Sequence, residues 1–115
     1  MKILLIVKES PWSGSLAATA QRLARAMLVQ GHQLAAVYFR EEGAYHAVAG
    51  GAVDAAVNDL NREWQTLSLQ YDFPLLLCAS AAERRRAGDA SDRFTPAGLP
   101  QVLELMAQCD RVVSF

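Results

Sequence analysis

The sequence predicts an α/β fold: a three-layer α/β/α arrangement around a small, mainly parallel central sheet. Three observations carry this expectation. Short apolar runs alternate along the chain with amphipathic stretches of helical period. The runs are apolar at consecutive positions, as in strands buried on both faces, rather than at every second one. The chain has 115 residues, 52% of them hydrophobic and 20% charged, which suits one domain (1–115) with one core.

The elements follow in order. Ile3-Leu4-Leu5-Ile6-Val7, closed by Lys8-Glu9, reads as the first buried strand. Ser10-Pro11-Trp12-Ser13-Gly14-Ser15 is rich in turn residues and reads as a loop. Leu16, Ala20, Leu23, Ala24, Met27 and Leu28 then recur at helical spacing, with Gln21, Arg22 and Arg25 between them. Ser13 or Ser15 is placed to cap this helix, and Gly31 to end it in a left-handed conformation. Gln33 to Phe39 reads as a second strand. Residues 40–53 read as a long connection carrying Tyr45 and His46, and loops of that length in small domains are often functional or interfacial.

Val57, Leu60, Trp64, Leu67 and Tyr71 mark a second amphipathic helix, and Leu75-Leu76-Leu77-Cys78 a third strand. Residues 79–88 have high helix propensity. Thr95-Pro96 reads as a cap followed by proline at the first helical position, with Leu99, Val102, Leu103 and Met106 continuing that helix. Val112, Val113 and Phe115 form a last short strand. The expected order is β-α-β-α-β-α-α-β, with right-handed crossovers. Sites in such sheets lie at the carboxyl ends of the strands. That rule directs attention to Ser10–Ser15, to Arg40–Ala52 and to Cys78.

Composition narrows the function classes. Eleven basic and twelve acidic side chains give a net charge of −1, which lacks the signature of a dedicated nucleic-acid binder, so no direct nucleic-acid contact is expected. No apolar run approaches the roughly 18 residues of a membrane span. Two cysteines, Cys78 and Cys109, are too few for a disulfide scaffold, and neither forms metal-ligand spacing with His32 or His46. The expectation is a soluble, cytoplasmic protein with free thiols, no metal and no cofactor.

Cys78 is the residue whose position suggests chemistry. It sits where the third strand gives way to a helical segment, beside unpaired N–H groups and the positive end of the helix dipole. A thiol there should have a lowered pKa, and the thiolate is the nucleophile. Ala79, Ser80 and Ala81 are small enough to leave access, and Arg84 and Arg85 add positive potential. The plain alternative is a core cysteine, since free cysteine is among the most buried residue types. Cys109 precedes the last strand at its amino end, far from Cys78, so it reads as inert and no disulfide between the two is expected.

Several segments taken together resemble the DsrE/TusD family of sulfur-relay sulfurtransferases. They are Pro11-Trp12-Ser13-Gly14, Gly31-His32-Gln33-Leu34, Val37-Tyr38-Phe39 with Glu42-Gly43-Ala44-Tyr45, and Leu77-Cys78 followed by Ala82, Arg84 and Arg85. Phe94-Thr95-Pro96-Ala97-Gly98-Leu99 and Cys109-Asp110-Arg111-Val112-Val113-Ser114-Phe115 complete the series. The resemblance implies a DsrE-like, flavodoxin-like-class domain. It implies that a cysteine at the position of Cys78 accepts sulfane sulfur as a persulfide and hands it to a downstream carrier protein. The pathways it implies are tRNA 2-thiouridine synthesis or sulfur oxidation. The partners it implies are sulfur donor and acceptor proteins, within a homo- or hetero-oligomer of related small subunits.

Thiolate is both nucleophile and leaving group in such exchange, so the chemistry needs no metal or organic cofactor. Tyr45 and Trp12 are candidates to wall the cysteine pocket, with His46 a weaker candidate for acid–base work. Two rivals stand beside this reading. One is a flavodoxin-like flavin or nucleotide binder that uses the Ser10–Ser15 loop, although neither G-x-x-x-x-G-K-[ST] nor G-x-G-x-x-G occurs. The other is a non-catalytic assembly subunit of a sulfur-relay complex.

Overall fold

The computed structural model describes residues 1–12, 15–47, 55–80 and 93–115. Its elements are β1 (Lys2–Val7), α1 (Leu16–Val29), β2 (Gln33–Phe39), a 3-10 helix (Glu41–Ala47), α2 (Ala55–Tyr71), β3 (Leu75–Cys78), β4 (Phe94–Ala97), α3 (Leu99–Gln108) and β5 (Arg111–Ser114). The strands form one sheet in the order β4-β3-β2-β1-β5, and every neighbouring pair is parallel. The α/β class and the parallel sheet agree with the sequence reading.

The two faces of the sheet bury different residues. Ile3, Leu5, Val7, Val37, Phe39, Leu75 and Leu77 face α1 and α2, against Ala20, Ala24, Leu28, Trp64 and Leu67. Leu4, Ile6, Ala36, Tyr38 and Leu76 face the other way, against Val102 of α3. Consecutive strand residues therefore each have a core to enter, which is why these strands read as unbroken apolar runs. On α1 the buried stripe is Ala17, Ala20, Ala24 and Leu28, while Leu16 is exposed. Small residues on that stripe let the helix approach the sheet closely.

A register shift in β2 decides which side chains share a face. Ile3 pairs with Leu34 but Leu4 pairs with Ala36, so β2 carries one extra residue there. Side chains alternate strictly along a strand, so one extra residue moves all that follow to the other face. Beyond the shift, Tyr38 lies on the α3 face and Phe39 on the α1/α2 face.

Three local expectations are corrected. Thr95 and Pro96 do not open a helix: they lie in β4, where Thr95 pairs with Leu76 and Pro96 with Leu77. Proline lacks a ladder donor, but β4 is an edge strand, the place where a sheet tolerates it. The helix begins three residues later than expected, at Leu99, with Gly98 at its N-cap and Pro100 in its first turn. Ser15 does occupy the N-cap of α1, yet its side chain makes no capping hydrogen bond, and Ser13 lies outside the described residues. The connection after β2 is not all irregular, because Glu41–Ala47 forms the 3-10 helix. Gly31 ends α1 at a φ of +91°, as expected of its left-handed position.

The last strand is tied to the first at both ends. The Lys2 N–H donates to Asp110 Oδ2 at 2.7 Å, and the Asp110 N–H donates to the Lys2 carbonyl at 2.8 Å. At the opposite rim the Phe115 N–H donates to the Ile6 carbonyl at 2.8 Å. No helix among the described residues is long and apolar enough to cross a membrane.

Candidate functional site

Three strand ends converge on a cleft of about 200 Å³ at the carboxyl rim of the sheet. It is lined by Tyr38 and Arg40 from β2 and its end, by Cys78, Ala79 and Ser80 from the end of β3, and by Ala97, Gly98 and Leu99 where β4 turns into α3. The site therefore lies where the parallel topology predicts it.

Cys78 is the last residue of β3, and Ala79 and Ser80 have already turned helical. Its thiol is partly exposed and forms no disulfide. In register it faces Ala97, whose single methyl leaves room beside the sulfur. Leu76 pairs with Tyr38, and Cys78 lies two residues further along the same face. This diagonal brings the Tyr38 phenol to the Cys78 sulfur, and the two side chains are hydrogen-bonded. Burial, reinforced by Cys78, pushes the Tyr38 hydroxyl up to about 12, although Arg40 pulls the other way. The phenol thus keeps its proton at working pH and is a standing donor.

The electrostatics of the cleft are positive from two directions. Arg40 lies on the rim, exposed, with Glu41 at 3.9 Å. The N-terminus of α3 opens at Gly98–Leu99 with no side-chain cap, and so presents its first N–H groups and dipole toward the lining. Among the described residues no cluster of His, Cys, Asp and Glu could hold a metal ion.

Trp12, Tyr45 and His46 fall elsewhere. Trp12 and Tyr45 do meet, edge to face with ring centroids 5.3 Å apart. They join the two loops after β1 and β2, but neither lines the cysteine cleft. Arg84 and Arg85 lie outside the described residues. His46 is buried on the α1/α2 side against Phe39, with its Nε2–H donating to the Glu9 carbonyl at 3.1 Å. Of the Ser10–Ser15 loop, Ser10 is buried, Trp12 is exposed and Ser13 and Gly14 lie outside the described residues.

Cys109 caps the C-terminal end of α3 just before β5, on the opposite rim from Cys78. Burial pushes its thiol up, which disfavours the thiolate there.

Tyr38 and the Gly98–Leu99 turn are not legible as site residues in the sequence, whereas Arg40 opens the Arg40–Ala52 segment to which the strand-end rule pointed. Tyr38 and Arg40 follow one another at the two-residue period of a strand, which was the available signal. The register shift that aims them was not visible. A larger groove of about 580 Å³ lies between α1 and α2, lined by residues that include Gln21, Arg25, Asp59 and Glu63. No thiol or hydroxyl side chain lines it among the described residues, and Arg25 and Glu63 pair with each other across it.

The sequence matches the DsrE/DsrF-like family over residues 1–115. It is 33% identical over 128 aligned positions to a protein named Sulfurtransferase TusD from Salmonella newport (strain SL254), covering 100% of both chains. Among solved structures, the ychN protein from E. coli superimposes with a TM-score of 0.85 at 18% identity, covering 100% of this chain and 99% of that one. At that identity the second likeness speaks to the fold.

Proposed function

The chain belongs to the DsrE/DsrF-like family, and from that premise we propose that it is a sulfur-relay sulfurtransferase whose carrier is Cys78. The observation that supports Cys78 most directly is its place at the end of β3, in an accessible cleft, hydrogen-bonded to a phenol.

The chemistry follows from thiol exchange. The Cys78 thiolate attacks the outer sulfur of a donor persulfide, R–S–SH. A bond forms between Cys78 Sγ and that sulfur as the donor's S–S bond breaks, and R–S⁻ leaves with the electron pair. An acceptor thiolate then attacks the outer sulfur on Cys78, and Cys78 leaves as thiolate. The sulfane sulfur keeps its oxidation state in both steps, so neither oxidant nor cofactor is consumed. The protein's part is to favour thiolate, to leave room for one added sulfur and to admit two partners in turn. The uncapped start of α3 and Arg40 serve the first task, and Ala97 and Gly98 the second.

The partners are a donor protein and a downstream carrier protein, and the chain works in a homo- or hetero-oligomer with related small subunits. The relay ends in tRNA 2-thiouridine synthesis or in sulfur oxidation. Such a carrier acts in the reducing cytoplasm, where its two thiols stay reduced.

Intact mass after incubation with a sulfane-sulfur donor tests the reading. The wild-type chain should gain one sulfur atom that reductant removes. Cys78→Ser should gain none while keeping its circular-dichroism spectrum. Undiminished transfer of labelled sulfur by Cys78→Ser would refute the assignment.

A further inference from the structure

We propose that Tyr38 is a second catalytic residue of this site: its phenolic O–H donates to Cys78 Sγ, holds the sulfur as thiolate for attack, and steadies the same thiolate when it leaves. This rests on the reading of Cys78 as the sulfur carrier and adds the group that controls its charge.

The geometry has three parts. Tyr38 and Cys78 lie on one face of adjacent parallel strands, with Tyr38 in register with Leu76 and Cys78 two residues on. Tyr38 is 4% exposed and packed in the apolar layer beneath α3, so its ring cannot swing to another partner without leaving the core. Its oxygen nevertheless reaches the cleft, because Tyr38 and Cys78 line it together and are hydrogen-bonded. A buried tyrosine hydroxyl is costly unless it is partnered, so the contact is fixed by the core as well as by the site.

The chemistry favours the ionised acceptor. A hydrogen bond to a charged group is stronger than one between neutral groups. The phenol therefore stabilises Cys–S⁻ over Cys–SH. In the loading step it raises the fraction of attacking thiolate. In the unloading step the electron pair of the breaking S–S bond returns to Sγ, and the same O–H receives it, which improves the leaving group. The phenol does not transfer its proton in either step, so atoms and charge balance without it.

The test is the pH dependence of Cys78 alkylation by iodoacetamide in the full-length chain, read at Cys78 by peptide mass spectrometry so that Cys109 does not contribute. Tyr38→Phe keeps the ring in its packing and removes only the oxygen. Its alkylation at neutral pH should fall about tenfold, with the midpoint moved to higher pH, and persulfide loading should fall in parallel. A ring that merely packs would leave the midpoint where it is, and coincident profiles for Tyr38→Phe and wild type overturn the proposal. A measurement on the wild type alone guards against a poorly folded variant: the ¹³Cζ resonance of Tyr38 should titrate with the midpoint of Cys78 alkylation. A resonance unmoved through that range also overturns it. A wild-type chain that takes up no sulfur, yet shows the Tyr38-dependent profile, would refute the carrier role of Cys78 while supporting the Tyr38 contact.

Discussion

Acid should weaken this fold through one residue, His46. The side chain is 1% exposed and packed against Phe39, the two rings tilted by 38° with centroids 5.3 Å apart. Its Nε2 lies 3.1 Å from the Glu9 carbonyl, which can only accept, so Nε2 carries the proton of the neutral ring. Nδ1 is buried and finds no partner among the described residues. Protonation would place a charge and a second N–H in that apolar setting, and burial accordingly pushes the pKa of His46 from 6.5 down to about 4.

Between those two values the unfolded chain binds a proton that the folded chain does not. Stability is therefore full above 6.5 and falls as the pH drops toward 4. One pKa unit corresponds to about 1.4 kcal/mol, so the loss between pH 7.5 and pH 4 is about 3 kcal/mol. Urea unfolding at a series of pH values measures it. Carboxylates also titrate near the bottom of this range, so the comparison is with His46→Leu, which has no proton to take up. The wild type should lose about 3 kcal/mol more than the variant over that interval. Parallel stability curves for the two proteins would refute the reasoning.

Two further substitutions test how the rims are held. A Cβ at Gly43 would lie 2.0 Å from the Val7 carbonyl oxygen and 2.9 Å from its carbon. That carbonyl already accepts the Arg40 N–H at 3.1 Å and cannot swing aside, so Gly43→Ala must displace the Glu41–Ala47 segment. Overpacking of this kind costs about 1–3 kcal/mol, and thermal denaturation should report a melting temperature lower by about 5 °C or more. An unchanged melting temperature would show that the segment yields freely. Val102 is the buried residue of α3, and the first turn of that helix lines the cysteine cleft. Val102→Ala should cost about 1–2 kcal/mol in chemical denaturation. It should also slow persulfide loading of Cys78, and loading at the wild-type rate would separate α3 packing from the site.

The sequence reading located most of the sheet because each central strand is apolar at consecutive positions. The runs from Ile3 to Val7 and from Leu75 to Cys78 have no other stable home in a chain this size. It located Cys78 for the same reason, since a strand end in a parallel sheet is where ligands are met. It failed at Thr95-Pro96 because proline after threonine is equally good at opening a helix and at sitting in an edge strand. Local chemistry does not say which edge of which sheet a segment will reach. It also gathered Trp12, Tyr45 and Cys78 into one pocket because all three follow strands. The structure joins the first two and leaves the third with other neighbours.

By itself, then, the sequence determined the α/β class, the strand that ends in a thiol and the family the chain belongs to, since these depend on residue order and apolar period. Only the tertiary structure decided what stands around that thiol. One extra residue in β2 turns Tyr38 onto the face of Cys78. A helix that starts after Ala97 rather than at Thr95 brings Gly98 and Leu99 to the same cleft. Register and helix start are set by pairing between segments distant in the chain, and no local pattern encodes a pairing offset of one residue.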